Sequence, residues 1–221
     1  MSTIPIYLAS SSPRRRELLD QIGVAYEVLG VDVPEQSLTN ESPVDYVQRL
    51  AIDKAKAGMA RLEEKLFETD KFELSSWQST KKNATIGLVI GADTAVVCDG
   101  DILGKPQSPQ HAMAMLRQLS GETHEVFTGV AVSGTCILTE LSRTLVTFRC
   151  ISEREIIGYI ATNEGLDKAG SYAIQGKAAI FIEKIQGSYS GVMGLPLYET
   201  AELLVQSGAQ ILPVLKSSIN E

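Results

Sequence analysis

The chain has 221 residues, of which 44% are apolar and 21% charged, and its net charge is -7. This composition excludes extended disorder, which pairs low hydrophobicity with high net charge, and suits one large domain with a sizeable core. The acidic balance also argues against a nucleic-acid partner, because proteins that bind a duplex concentrate positive charge.

The sequence lacks the segments that direct a protein to a membrane. No window approaches the roughly 20 apolar residues of a membrane span, and the first charges follow the first apolar stretch, the reverse of a secretory signal. The cysteines, Cys98, Cys136 and Cys150, form no CxxC pair and lie in apolar or strand-like runs. We therefore expect a cytoplasmic protein that begins near Met1, has no membrane partner and buries its cysteines in reduced form.

Strands and helices alternate in the first half of the chain. The sequence predicts a strand at 4–9, a helix at 13–22 closed by Gly23, a strand at 25–30, and a long helix at 43–66 capped by Ser42. Residues 67–85 show no sustained period, so we expect a surface insertion there.

The second half continues the alternation. It predicts a buried strand at 88–92, a hairpin at 99–100, a helix between 108 and 121, and strands at 125–132 and 136–150. A helix then runs from the capping box at Ser152 to 161, followed by a Gly-rich stretch at 165–176, a strand at 178–185, a Gly-rich loop at 187–194 and a helix at 197–207. The alternation is typical of the α/β class, with helices packed on a central sheet. We expect a single domain over 1–221.

A basic run opens the first predicted helix. With Ser12 as N-cap and Pro13 as the first helical residue, the arginines at 14–16 fall in the first turn, where the helix dipole disfavours cations. Free N–H groups, serine hydroxyls and arginine side chains suit a phosphate-bearing anion. The alternative is a solvated basic face.

Lys54 interrupts an apolar stripe on the long helix. At 100° per residue it falls among the residues that should face the core, Val47, Leu50, Ala51, Gly58 and Leu62. A lysine at such a position either snorkels to solvent or meets a negative partner, for which a triphosphate is one candidate.

Asp93 is the single carboxylate in the otherwise apolar segment 90–97. Burying a lone carboxylate is costly unless a metal or another cation compensates, and ligand sites favour the carboxyl ends of such strands. Glu35 and Asp32, in the polar loop before the long helix, are candidates to join Asp93 around a divalent ion. The alternatives are a structural aspartate at a strand end and simple solvation of the two loop acids.

Two further residues lie in loops that glycine makes accessible to a ligand. Lys105 follows the predicted hairpin, and Gln175 lies in the stretch 165–176, where its amide offers both a donor and an acceptor to a base edge. Ordinary turns explain each position separately. The motifs GxxxxGK[ST], GxGxxG and GxSxG are absent, so any hydrolysis would rely on carboxylates, cations and a metal.

In this order the residues resemble the Maf family of nucleoside triphosphate pyrophosphatases, from about Tyr7 to Val205. The resemblance rests on LASSSPRR at 8–15, RLA at 49–51 with KA at 54–55, GADT at 91–94, GKP at 104–106, LSG at 119–121, DKAG at 167–170, YAIQG at 172–176 and GLP at 194–196. It implies an elongated, curved, mixed sheet flanked by helices, with a central cleft, similar to inosine triphosphate pyrophosphatases.

The resemblance also implies metal-dependent hydrolysis of a nucleoside triphosphate to the monophosphate and pyrophosphate, with Mg²⁺ or Mn²⁺ as the cation. Asp93 falls at the family's proton acceptor, and Glu35 joins it as a metal-ligand candidate. The specificity positions fall at Arg14, Thr94 and Gln175, and the shell around the phosphates at Ser10, Arg15, Lys54 and Lys105.

The motifs SPRR, GADT and YAIQG look like those of the branch that acts on dTTP and UTP, rather than of the branch for methylated GTP. Arg16 and the insertion at 67–85 depart from the family pattern, and the insertion could lie over the cleft or at a homodimer surface. The rival is a nucleotide-sensing or cell-division module that binds without turnover. The presence of Asp93 disfavours this rival, since binding alone needs no base.

Overall fold

The order of elements follows the alternation expected from the sequence. The computed structural model describes residues 4–69 and 86–212. In these ranges the strands are β1 (Ile6–Leu8), β2 (Glu27–Val28), β3 (Leu88–Cys98), β4 (Asp101–Leu103), β5 (Thr123–Ser133), β6 (Ile137–Phe148) and β7 (Ile182–Gln186). The α-helices are α1 (Pro13–Gln21), α2 (Pro43–Thr69), α3 (Pro109–Leu119), α4 (Glu153–Ile160), α5 (Tyr189–Met193) and α6 (Leu197–Gln206).

The strands form one seven-stranded mixed sheet in the order β2-β1-β3-β5-β6-β7, with β4 paired to β3. Successive residues of β3 pack on opposite sides of this sheet, as the pleat requires. Val89 shares a core cluster with Leu62 of α2, whereas Ile90 shares one with Leu19 of α1. Helices therefore cover both faces, and the predicted α/β class is confirmed.

One edge of β3 is divided between two short strands. β5 pairs with residues 89–97 along one edge, while on the other edge β1 pairs with 88–90 and β4 with 96–98. Among the strands of the described residues, the intervening residues 91–95 therefore have a neighbour on one side only. Asp93 lies at the centre of this opening.

Close packing of α2 on the sheet brings polar residues of both elements together. A Cβ built on Gly91 would lie 2.2 Å from the carbonyl oxygen of Ala51 and 2.5 Å from the backbone nitrogen of Ala55. Only glycine permits this approach, because any side chain there would overlap the helix backbone. Lys54, adjacent to Ala55, is thereby brought within reach of Asp93, two residues beyond Gly91 on the same face of the sheet.

Several expectations about local structure are wrong. Asp93 is not at a strand end, because the apolar residues after it continue the ladder with β5. The segment predicted as a strand at 178–185 begins with a 3₁₀ turn, Lys177–Phe181, whose spacing buries both Ala178 and Phe181. The Gly-rich loop at 187–194 contains α5, capped by the Ser188 side chain and ended by Gly194 at φ 119°.

The cysteine prediction is correct for one residue only. All three are free thiols, but Cys98 is buried whereas Cys136 and Cys150 are exposed. The predicted strand at 136–150 is shorter than expected, since β6 covers residues 137–148. Both exposed cysteines consequently lie just outside the ladder.

The predicted insertion at 67–85 lies outside the described residues from 70 onward, and α2 continues to Thr69. The expectation of a single domain over 1–221 stays a prediction. Of the helices in the described part of the chain, none combines the length and apolar character that crossing a membrane demands.

A buried histidine makes the stability of this fold depend on pH. Burial lowers the pKa of His124 to about 4, and its Nε2 lies 2.8 Å from the hydroxyl of Tyr172. The unfolded chain, with an ordinary histidine pKa near 6.5, binds a proton in this range that the folded chain does not. The free energy of unfolding should therefore fall by roughly 3 kcal/mol as the pH drops from about 6.5 to about 4.

Urea unfolding measured across that pH window checks this expectation. His124→Phe should remove most of the slope while keeping the edge-to-face packing on Phe148. His111→Gln is the matched control for losing a histidine, and an equal loss of slope in both variants would contradict the assignment.

Candidate active site

The opening in the edge of β3 leads into a cleft of about 920 Å³. It is bounded by the N-terminus of α1, the loop after β2, helix α2, strand β3, the segment after β4 and the Gly-rich segments of the C-terminal half. The site residues predicted from the sequence all line it, namely Ser10, Arg14, Arg15, Glu35, Lys54, Asp93, Thr94, Lys105 and Gln175. Asp32, the other carboxylate considered for the metal, is exposed and is not part of the lining.

Lys54 joins the two carboxylates of the cleft. Its Nζ donates to Asp93 Oδ1 and to Glu35 Oε1, each at 2.7 Å. The Lys54 and Asp93 side chains are each only 10% exposed, whereas that of Glu35 is 45% exposed. Lys54 therefore does not snorkel to solvent, and it supplies the cation that the carboxylate of Asp93 requires inside the fold.

The charge of Glu35 is set by the cations around it. Burial acts to raise the pKa of this carboxyl group, but the hydrogen bond and charge of Lys54 and the nearby Lys105 outweigh it, so the pKa is lowered. Lys105 Nζ lies 3.5 Å from Glu35 Oε2 and is largely exposed. Glu35 thus links the buried pair to a lysine at the mouth of the cleft.

The loop that carries Glu35 is held by side chains of α2. The hydroxyl of Tyr46 donates to the carbonyl oxygen of Glu35 at 3.0 Å, and Arg49 Nη2 donates to the carbonyl oxygen of Gln36 at 3.1 Å. Burial, with the charges of Asp93 and Glu35, raises the pKa of Tyr46 to about 12, so its hydroxyl remains a donor. Tyr46 was not predicted from the sequence, whereas Arg49 belongs to the motif RLA at 49–51.

At the N-terminus of α1, Arg15 and Ser10 form a fixed pair. Arg15 Nε donates to the carbonyl oxygen of Gly194 at 2.7 Å, and Arg15 Nη1 donates to Ser10 Oγ at 3.1 Å. Ser10 Oγ also accepts from the backbone N–H of Ser12 at 3.2 Å. Both lone pairs of Ser10 are thus occupied, so its hydroxyl proton is available to an acceptor such as a phosphate oxygen.

The basic run does not act as one unit. Arg14 and Arg15 line the cleft, while Arg16 is exposed and lies outside the lining. Burial lowers the pKa of Arg14, and the charge of Asp167 partly opposes this effect. The first turn of α1 contains no acidic residue. Two of the three arginines thus fit the anion site, and the third fits the solvated basic face.

We expect Arg14→Ala to abolish most of the triphosphate hydrolysis that the family resemblance implies, without lowering the melting temperature. The change removes a cation that opposes the helix dipole and contributes binding only when an anion is present. Arg16→Ala is the matched control, in the same helical turn but outside the cleft, and should keep its activity. A large drop in melting temperature for Arg14→Ala with activity retained would show that Arg14 is structural.

The loop bearing Gln175 is held by two residues that sequence reasoning missed. The backbone N–H of Ala173 donates to the hydroxyl of Tyr159 at 3.2 Å, and that of Lys177 donates to Glu164 Oε1 at 2.8 Å. The Tyr159 hydroxyl in turn donates to Glu164 Oε1 at 3.1 Å. These bonds fix the chain on both sides of Gln175, whose side chain is exposed to the cleft.

A divalent cation would have two carboxylates available here. Asp93 and Glu35 both lie 2.7 Å from Lys54 Nζ, so their nearest oxygens are separated by no more than about twice that distance. Within residues 4–69 and 86–212, no group of three or more His, Cys, Asp and Glu residues could hold a metal. One or two carboxylates are the usual protein contribution to a Mg²⁺ site, in which water and substrate phosphates are the other ligands. In the structure the Lys54 ammonium group lies between the nearest oxygens of Asp93 and Glu35, so a divalent cation would bind their remaining lone pairs.

Comparison with known proteins identifies the family of this chain. The profile of the Maf-like protein family matches residues 5–207. The chain is 50% identical over 215 residues to the dTTP/UTP pyrophosphatase of Nitrosospira multiformis, covering 93% of this chain and 96% of that protein. It is 46% identical over 200 residues to the dTTP/UTP pyrophosphatase of Escherichia coli K12, covering 90% of this chain and 91% of that protein.

Among solved structures, the Ham1 protein of Staphylococcus aureus matches with a TM-score of 0.39 and 17% identity, covering 67% of this chain and 72% of that chain. That similarity is too distant to support a conclusion. The profile match and the relatives, in contrast, extend over most of the sequence, and the profile match includes every segment that lines the cleft. The chain belongs to the Maf family.

Proposed function

We propose that this protein hydrolyses dTTP and UTP to the nucleoside monophosphate and pyrophosphate. The observation that carries the proposal is the Lys54 ammonium group between Asp93 and Glu35, in the same cleft as Arg14 and Arg15. A carboxylate beside a set of fixed cations suits phosphoryl chemistry, in which a base is needed at one end and charge stabilisation at the other. The names of the relatives that are 46–50% identical to this chain, dTTP/UTP pyrophosphatases, support the same choice.

In the proposed mechanism, Asp93 accepts a proton from the attacking water. Lys54 holds Oδ1 of Asp93, which leaves Oδ2 for the water. The water oxygen forms a bond to the α-phosphorus, and the bond from that phosphorus to the bridging oxygen breaks. The pyrophosphate leaves with the electron pair, and Arg14, Arg15 and Lys105 stabilise the charge that develops on it.

The hydroxyl proton of Ser10 and the free N–H groups at the start of α1 would complete the phosphate contacts. A divalent cation held by Glu35 and by a second lone pair of the Asp93 carboxylate would offset the negative charge of the triphosphate and of the leaving group. We also propose the cytoplasm as the site of action. An enzyme of this kind would remove or regulate nucleotides in the cellular pool.

A turnover screen tests this function. The full chain is incubated with the common ribo- and deoxyribonucleoside triphosphates, with Mg²⁺ or with a chelator, and the products are separated by chromatography. We expect dTMP and UMP with equimolar pyrophosphate, and loss of turnover in the chelator. Binding of dTTP without product formation would instead support the sensing or regulatory module.

Gln175 provides a prediction about base choice. A thymine or uracil ring presents an acceptor–donor–acceptor edge, whereas cytosine has an amino donor in place of one carbonyl. We expect kcat/KM for dTTP and UTP to exceed that for CTP. Gln175→Ala should reduce this preference, expressed as a free-energy difference between the substrates, by about 1–3 kcal/mol. Steady-state kinetics on the three substrates checks it. A role in base reading would be contradicted if Gln175→Ala lowered kcat/KM by the same factor on all three substrates, or if the wild type already had an equal kcat/KM for CTP.

A further inference from the structure

A pair of threonine hydroxyls connects the cleft to helix α5. Thr94 on β3 lies directly opposite Thr128 on β5, and their Oγ1 atoms are 2.9 Å apart. Thr94 lines the cleft, whereas Thr128 is buried behind it. Thr128 Oγ1 also lies 2.8 Å from the carbonyl oxygen of Gly191. Because each hydroxyl has a single proton, these two contacts determine where both protons lie.

Only one arrangement of the two protons satisfies both contacts. A carbonyl oxygen can only accept, so the proton between Thr128 and Gly191 belongs to Thr128. Thr128 Oγ1 is then the acceptor in its contact with Thr94, and the proton of Thr94 is directed toward Thr128. What Thr94 presents to the cleft is therefore a lone pair.

We propose that Thr128 is a positioning residue that fixes Thr94 as a hydrogen-bond acceptor, so that Thr94 selects substrates presenting a donor at this point. The inference rests on the proposed function and deepens it. Ser10 shows the opposite arrangement in the same cleft, because its lone pairs are occupied and its proton is free. Phosphate oxygens accept hydrogen bonds, so Ser10 is suited to the phosphates and Thr94 to the nucleoside.

Gly194 lies beside Thr94 in the lining of the cleft. A Cβ built on Gly194 would be at ordinary contact distance from both side chains, 3.6 Å from Arg15 Nε and 3.7 Å from Thr94 Oγ1, so a ligand group would approach Thr94 Oγ1 past this glycine. dTTP and UTP share two nucleoside donors that could reach it, the imide N–H of the base and the 3′-hydroxyl of the sugar. Cytosine has a lone pair in place of that imide N–H, and it would meet the lone pair of Thr94 unfavourably.

A double-mutant cycle tests the inference. Thr128→Val preserves the shape of the side chain and removes the acceptor, and the carbonyl oxygen of Gly191 keeps its bond from the N–H of Gly194 at 2.9 Å. We expect kcat/KM for dTTP to fall about tenfold in Thr128→Val and to stay near the wild-type value in Thr128→Ser. In a Thr94→Val background, Thr128→Val should have no further effect. Losses that multiply in the double variant would overturn the proposal.

Two analogues identify the donor. dTTP methylated on the imide nitrogen and 3′-deoxythymidine triphosphate each lack one of the two groups. For the analogue that lacks the group read by Thr94, the wild type and Thr128→Val should differ by less than twofold. A tenfold difference persisting with both analogues would overturn the proposal. Thr94→Val tests whether Thr94 reads that donor without altering a buried residue.

Two controls separate this inference from other causes. Thr147→Val removes a similar cross-strand hydroxyl pair, with Thr123 at 2.8 Å, on an exposed part of the sheet, and it should behave as the wild type. Equilibrium binding of a dTTP analogue with a methylene group between the α- and β-phosphorus atoms repeats the cycle without turnover. If the wild type binds this analogue but hydrolyses none of the nucleoside triphosphates, the proposed function fails. The double-mutant cycle measured on Kd still decides the role of Thr128.

Discussion

Asp93→Asn should lower kcat by about a hundredfold to ten-thousandfold and leave the fold intact. The amide has the shape of the carboxylate but cannot accept the proton of the attacking water, and loss of a general base costs about this much. Stability should be retained, because the amide oxygen can still accept from Lys54 and Glu35 still pairs with the same ammonium group. Steady-state kinetics and circular dichroism on the purified variant measure the two effects.

Asp101→Asn is the matched control for this change. Asp101 is an exposed residue of β4, paired with Cys98 at the end of that strand farther from the opening, and it is not part of the cleft lining. The variant should keep wild-type turnover. The role assigned to Asp93 is wrong if a folded Asp93→Asn protein retains more than about a tenth of the wild-type kcat.

The second large effect concerns stability. Lys54→Met should reduce the free energy of unfolding by roughly 3–5 kcal/mol, because it leaves the buried carboxylate of Asp93 without its cation. Adding Asp93→Asn should restore part of that loss, since the uncompensated charge is then gone. Urea unfolding of the two single variants and the double variant measures both terms.

Lys56→Met controls for the loss of a lysine from the same helix, at an exposed position. A loss in Lys54→Met no larger than in Lys56→Met would mean that the buried pair contributes nothing to folding. The same conclusion would follow if the double variant and Lys54→Met were equally stable.

The sequence alone predicts three polar residues of the cleft, Lys54, Asp93 and Arg14, because each of them departs from a strong local pattern. Lys54 stands out from the period of a long amphipathic helix, and Asp93 from an apolar strand. Arg14 stands out against the dipole of a capped helix. Such departures are visible without any knowledge of tertiary contacts, and the family resemblance then ranks them.

Contacts between distant segments are harder to predict. No local pattern indicates that β1 and β4 share one edge of β3, nor that Thr94 lies opposite Thr128, because register is decided by the whole ladder. The anchoring of Gln175 by Tyr159 and Glu164 likewise depends on how α4 packs. Asp32 illustrates the converse error, since proximity to Glu35 along the chain does not bring its side chain into the cleft.

Hydrolysis of dTTP in water enriched in the heavy oxygen isotope tests the central claim most directly. A water attacking the α-phosphorus places the label in dTMP and leaves the pyrophosphate unlabelled, and mass spectrometry of the two products distinguishes the cases. We predict label in dTMP alone, formed at a rate that falls with Asp93→Asn. Label in pyrophosphate, or in inorganic phosphate released with dTDP, would contradict the account.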